Sequence, residues 1–331
     1  MRLTFPFGFI LQVLTNASAA TLISQMARDT QRTVISEFGL LLHARQRFRD
    51  RGYAGQSLPK RNAPLSTKRA RHLLAEVTFT PFPYYPDLGA RSGQLLRDAE
   101  FSGPIFIVED GNAEAVLLDA DPFCYLSHAS ALAWHGLSAP EPSQFVSTAD
   151  RSLWARWARE KVAELFDDDL DEWVEAGSLF KMTPPRPFPV LRARNLHRHE
   201  RSDPVSLGDF GADVDRVSPV GVTFRDSIAA PGRCGGAAKV VDIWRKHALR
   251  HLDSIIAEIV LSVEKIVRVR AGYLLEEVWG VQDPRVARWV NDAQRCSSRK
   301  LDPAAPYAGR FSKRWMLSIN IDDPTLPAVR A

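Results

Sequence analysis

The side chains of this chain best able to do chemistry are its histidines and cysteines, several of them closely spaced. His128 and His135 lie seven residues apart in YLSHASALAWHGL, two helical turns, so a helix would place both on one face. No Cys, Asp or Glu stands between them at ligand spacing, and Gly136 closes the segment, which favours packing over a metal centre. His247 and His251 form an i, i+4 pair in HALRH but lack the glutamate of a metalloprotease helix. His197 and His199 sit in a basic segment read as a loop. Cys124 stands four residues before His128, the spacing of a nucleophile and its base, but no third group completes a constellation.

Pro231-Gly232-Arg233-Cys234-Gly235-Gly236 lacks the lysine and hydroxyl residue of a phosphate loop and reads as a loop-to-helix turn. Asp167, Asp168, Asp169, Asp171 and Glu172 lack the alternation of a calcium loop and read as a solvated acidic turn. The expectation is a protein without catalytic residues, metal or cofactor. Its rival is a metal-dependent nuclease or nucleotide-processing enzyme using His128 and His135.

These residues belong to a chain of 331 residues with 45% hydrophobic and 25% charged side chains, the balance of a globular protein of two or three domains. Three scattered cysteines allow no CxxC pair and no disulfide framework, pointing to a reducing compartment and a cytoplasmic protein. Met1 to Ala20 has the apolar run and small residues of a signal peptide but only one positive charge. Met26 offers a natural cytoplasmic start, so residues 1–25 are placed outside the folded core.

The net charge of +4 is unevenly spread. Up to His72 there are twelve basic and three acidic residues, a local +9 that leaves −5 for the remainder. A front of that sign attracts polyanions, nucleic acid first among them; the competing reading is a solvated helix face.

Periodicity then places the elements. Residues 33–49 read as an amphipathic helix carrying Arg45 and Arg47. Ser66 caps a second, basic helix with Lys68, Arg69, Arg71 and His72 outward, approached by Lys60 and Arg61. TPFPYYPDL reads as a loop. Asp110-Gly111-Asn112 between Ile105–Val108 and Ala115–Leu118 reads as a hairpin turn.

Helices followed by a hairpin give the element order of a winged helix-turn-helix over residues 26–118. Beyond it, 119–331 reads as a larger mixed α/β domain, giving an α+β protein. Within it, 151–177 is helix broken at the acidic cluster, and 237–260 carries one apolar face. Glu264 to Trp279 is a helix closed by Gly280, and Asp283-Pro284 opens another through Ala293. Residues 314–321 alternate as a strand.

Four blocks carry a resemblance: SHASALAWHGLSA at 127–139, VGVTFRDSIAAPGRCGGAAKVVDIW at 220–244, VRAGYLLEEVWGVQDPRVARW at 269–289 and SRKLDPAAPYAGRFSKRWMLSIN at 298–320. In that order they resemble the AbiEi-type antitoxins of type IV toxin-antitoxin systems, over about residues 120–331. The resemblance implies a winged-helix domain that binds inverted repeats in its own promoter. It also implies a C-terminal domain that counteracts a nucleotidyltransferase-like toxin, without necessarily forming a stable complex with it. Double-stranded DNA is thus the expected partner of the basic front. Arg268, Arg270, Tyr273, Glu276, Arg299 and Lys300 are read either as an antitoxin surface or as helix core and internal ion pairs.

Overall fold

The computed structural model describes residues 28–36, 38–39, 42, 52–53, 56–57, 80–82 and 105–108 of the front third. Beyond them it describes 111–166, 170–175, 182–185, 190–191, 193–204, 216–294 and 299–330. Lys60, Arg61, Lys68, Arg69, Arg71, His72, Arg45 and Arg47, and with them the expected DNA-facing helix, lie outside the described residues. The protein is a mixed α+β structure.

In the front third, β1 (Val34–Ser36), β4 (Thr80–Phe82) and β5 (Ile105–Ile107) form one antiparallel sheet in the order β1-β5-β4. The strands β2 (Gly52–Tyr53) and β3 (Gln56–Ser57) pair separately. Three expectations are corrected here. The start of the 33–49 helix is a strand, because Val34 and Ile35 are β-branched and pair with Ile107 and Phe106. Part of the expected proline loop is β4, which tolerates Pro81 because it is an edge strand. Most importantly, the expected second hairpin strand is a helix, α1 (Ala113–Ala120). Asn112 does not turn a hairpin; its side chain accepts from the Ala115 amide at 2.8 Å and caps α1.

α1 buries Ala113, Val116, Leu117 and Ala120 against Val34, Leu126, Val146 and Leu191. Asp119 accepts from the Thr33 amide and hydroxyl at 2.7 and 2.8 Å, so the first described strand is tied to a helix that spans the expected domain boundary at 118.

The central sheet has the order β6-β7-β9-β8, from β6 (Tyr125–Leu126), β7 (Gln144–Ala149), β8 (Val190–Leu191) and β9 (Arg194–Arg201). β7 and β9 run parallel, with Phe145 opposite His197 and Ser147 opposite His199; the outer pairs are antiparallel. The segment holding His197 and His199 is therefore a strand, not a loop. Between β6 and β7 lies α2 (His128–Trp134), ended by Gly136 at φ +68, a left-handed position that glycine takes without strain.

The parallel crossover runs through α3 (Arg151–Phe166) and α4 (Leu170–Glu175). Asp150 opens α3 by accepting from the Ser152 and Leu153 amides at 3.0 Å each. Trp154, Ala158, Val162 and Phe166 recur every fourth residue and form the buried stripe of α3; Trp154 meets Phe123 edge-on at 5.1 Å.

The C-terminal half is a helical layer: α5 (Val220–Ala229), α6 (Ala237–His247), α7 (Leu252–Val260) and α8 (Lys265–Gly272), which continues as a π-turn through Val278. A short α9 (Pro284–Ala287) is capped by Asp283. The 237–260 face is buried through Val241, Trp244, Ala248, Ile255, Ile256 and Ile259, with Leu252 only partly covered, and a tighter turn at Ala248–His251 divides it into two helices. A small sheet of β10 (Arg310–Ser312), β11 (Leu317–Ser318) and β12 (Val329–Arg330) closes the layer. Of the expected 314–321 strand only Leu317–Ser318 is extended, because 313–316 is the turn between β10 and β11; Trp315, Leu317, Ile319 and Ile321 are nevertheless all buried.

Candidate functional site

The S-H-x-S-A segment is stitched to β7 by its own hydroxyls. Ser130 Oγ accepts from the Phe145 amide at 2.8 Å, and the Ser127 amide donates to the Phe145 carbonyl at 3.1 Å. Ser147 Oγ donates to Ser127 Oγ at 2.9 Å, and Ser127 Oγ lies 2.9 Å from His128 Nδ1. The hydroxyl chain therefore engages Nδ1 of His128 and leaves Nε2 as the other ring nitrogen. The His128 backbone sits at φ +49, a left-handed conformation costly for a side chain of this size and characteristic of positions held in place for a purpose.

Around His128 the sheet and the helical layer converge. The His199 ring stands 5.6 Å away, edge-on, and the His197 ring stacks on Phe145 at 4.6 Å. Arg233 comes from the short helical turn 231–234. Together with Leu196 and Arg198 these residues line a polar cavity of about 300 Å³.

Below it, Arg201 donates to both oxygens of buried Asp226, at 3.0 and 2.9 Å, joining β9 to α5. Burial works against the Arg201 charge, but Asp226 more than offsets this and raises its pKa. None of Ser147, Arg201, Asp226 and Arg233 was singled out for this site by the sequence. The trace available there was the alternation His197, His199, Arg201, which is the period of one strand face.

The imidazole of His128 is held neutral, its pKa pushed down to about 4 first by burial and then by Arg233, His199 and Arg201, with Asp226 opposing. His199 is lowered by the same kinds of neighbour, burial first. An unfolded chain protonates His128 near pH 6.5, the folded one only near 4, so stability is complete above the first value and declines as pH falls toward the second. The decline attributable to His128 is about 3 kcal/mol. His128→Asn, which tolerates left-handed φ, is expected to flatten the fall in the urea midpoint between about pH 6.5 and pH 4; an unchanged profile would contradict the assignment.

The other histidines and cysteines have different surroundings. His135 Nε2 bonds to the Ser218 carbonyl at 2.8 Å, so His128 and His135 serve different partners and do not converge. His251 packs its ring against Phe224 at 5.9 Å. Cys124 and Cys234 are buried; desolvation pushes the Cys124 thiol up to about 12 and Cys234 upward as well, the opposite of an activated nucleophile. Cys296 lies outside the described residues. Among the described residues no three His, Cys, Asp or Glu side chains are grouped to hold a metal ion.

The six residues read as an antitoxin surface divide. Arg270 and Tyr273 are buried and structural. Arg270 donates to the carbonyls of Lys300, Ile228 and Ala229, and Tyr273 Oη to that of Pro327 at 2.9 Å. Burial removes both from any surface role. Arg268 pairs with Asp292, and Glu276 accepts both arms of Arg314, at 2.6 and 2.8 Å. Lys300 donates to the Ala305 carbonyl and lies over the Tyr307 ring. Arg299 is nine-tenths buried, with Nη1 lacking a partner among the described residues, beside an open cleft bounded by Tyr307, Phe311, Lys313 and Met316.

No protein-family model, curated protein or solved structure matches this chain. No helix among the described residues is long and apolar enough to cross a membrane.

Proposed function

We propose that the chain is a DNA-binding antitoxin that represses its own promoter through a winged-helix front and counteracts a nucleotidyltransferase-like toxin through its C-terminal part. The observation that carries this reading is the convergence of the four blocks behind the resemblance. Leu132 and Leu137, Phe224 and Trp244, Leu274 and Trp289, and Leu301 and Trp315 all belong to one hydrophobic core, although they come from segments spread over residues 127–320. Blocks that pack as one unit behave as one inherited module, which is what a family resemblance of this kind requires. The front supplies the complementary argument: its +9 charge is suited to neutralising phosphates, whereas the −5 remainder is not.

In this reading Lys68, Arg69 and Arg71 face DNA with His72, approached by Lys60 and Arg61, while Arg45 and Arg47 contact the backbone. Fluorescence anisotropy with the chain's own upstream inverted repeats is expected to show binding that weakens steeply with salt. Replacing Lys68, Arg69 and Arg71 by Ala should lower the slope of log K against log salt by about 3, roughly 0.9 for each phosphate no longer neutralised. Binding that is insensitive to salt, or a triple variant with the wild-type slope, would remove the basis of the proposal. Co-expression with the toxin-like neighbour, using the same variant, separates repression from neutralisation: the variant is expected to lose the first and keep the second.

A further inference from the structure

We propose that the cavity between His128, His199 and Arg233 is a binding site for the phosphate group of a small ligand. The proposal stands apart from the DNA-binding reading, since it involves only the central sheet, the start of α2 and the turn before α6.

The first observation is the set of groups that converge. Arg233 offers a planar fork of N–H donors, and His199 and His197 stand on the same strand face. Among the described residues the lining contains no carboxylate. Asp226, the acid that acts most on His128 and His199, already accepts from Arg201 and Arg225. One arginine and the histidine rings thus meet at a cavity whose described walls offer no anionic partner, an arrangement that a bound anion satisfies.

The second observation is independent of charge. His128 is only 2% exposed, its Nδ1 is occupied by Ser127, and Nε2 has no partner among the described residues while the ring lines the cavity. With Nδ1 engaged by the Ser127 hydroxyl, Nε2 is the ring nitrogen left for a ligand in the cavity. The left-handed backbone of His128 holds it there against its conformational preference.

A phosphate satisfies donors arriving from several directions at once, and Arg pairs with it through two parallel bonds. A metal ion does not fit, because Nδ1 is filled, an arginine stands beside the ring and no acidic ligand among the described residues lines the site. The volume of about 300 Å³ is at the small end of ligand sites and suits a phosphate with a compact appendage. His197, exposed and stacked on Phe145, offers an aromatic platform beside it for a ring on the ligand.

Affinity should depend on pH through His199. It faces Arg233, Arg201 and His128, which disfavour its proton, and Asp226 and Asp203, which favour it. An anion favours the protonated ring, whereas a phosphate itself loses negative charge as pH falls through the same range, so an anion of fixed charge such as sulfate isolates the histidine contribution.

The test is calorimetric titration of the full chain with two probes, inorganic phosphate and adenosine monophosphate, and with sulfate, whose charge does not change, at about pH 6 and about pH 8. Saturable binding is expected with phosphate and with adenosine monophosphate, and sulfate is expected to bind more tightly at the lower pH. Equal affinity for the two probes assigns the phosphate alone as ligand; tighter binding of the nucleotide assigns a phosphate carried on an aromatic base. Half-exposed Arg233, replaced by Ala, should weaken binding about tenfold or more, with Arg233→Lys partly restoring it. His199→Gln should bind sulfate with the pH dependence removed. Absence of saturable binding by about 10 mM of either probe at the lower pH would overturn the proposal. So would wild-type affinity in Arg233→Ala, or equal affinity for sulfate at the two pH values. Arg233→Ala is expected to bind promoter DNA as wild type does, so failure here and failure of the DNA-binding reading are told apart.

Discussion

Asp226→Ala is expected to destabilise the fold by about 3–5 kcal/mol, because it leaves Arg201 as a buried cation without its main partner. Asp226 is 4% exposed and accepts both Arg201 bonds, and Arg225 lies within 3.4 Å of it. The residual pairing of Arg201 with Asp203 does not replace this, since Asp203 is mostly exposed and its bonds are longer, at 3.3 and 3.4 Å. The pair also connects β9 to α5, so its loss loosens the packing of the central sheet on the helical layer beneath the His128 cavity. Urea unfolding gives the measurement. The double replacement Arg201→Met with Asp226→Leu is expected to recover much of the stability, because apolar side chains of similar volume carry no uncompensated charge. A single Asp226→Ala effect below about 1 kcal/mol would show that solvent reaches Arg201 and that the pair is not buried in solution.

The second large effect is steric and lies at Gly272. A Cβ placed there meets the Trp315 indole at 2.1, 2.4 and 2.7 Å, closer than any real contact, and Trp315 is fully buried. Alanine would ordinarily strengthen a helix by about 1 kcal/mol relative to glycine. At this position overpacking is expected to reverse the sign and cost about 1–3 kcal/mol, with Gly272→Val worse still. Trp315→Phe in the Gly272→Ala background is expected to restore most of the stability, giving a strong coupling in a double-mutant cycle. Phenylalanine also removes the indole N–H, which has no partner among the described residues. Additive effects of the two substitutions would mean that the indole and α8 do not touch. The packing of Trp315 on Gly272 matters beyond stability, because it joins two of the blocks on which the family resemblance rests.

The C-terminal helices were legible in the sequence because local rules and tertiary packing agree there. The 237–260 face, the Asp283-Pro284 cap and the left-handed Gly280 each follow from residue types a few positions apart, and each is present. The hairpin at 105–118 failed for an equally local reason. Asn112 has the chemistry of both a turn residue and a helix cap, and burial of Val116, Leu117 and Ala120 against Val34 and Val146 chose the cap. Likewise the helix read from residue 33 gave way at Val34–Ser36, because the partner strand at Ile105–Ile107 is about seventy residues distant and no local window contains it.

The histidines illustrate the remaining limit. Seven-residue spacing paired His128 with His135, whereas the fold brings His128, at the start of α2, against His199 of β9, a strand whose parallel register with β7 no single segment encodes. Arg233 joins them from a glycine-bounded turn that, read alone, is only a connector. By itself the sequence determined the uneven charge, the absence of a cysteine framework and the positions of the C-terminal helices, since these depend on composition and on interactions within a few residues. Only the tertiary structure decided which polar groups meet at the cavity and which supposed surface residues, Arg270 and Tyr273 among them, are core. Burial and hydrogen-bond pairing are properties of packing between distant segments.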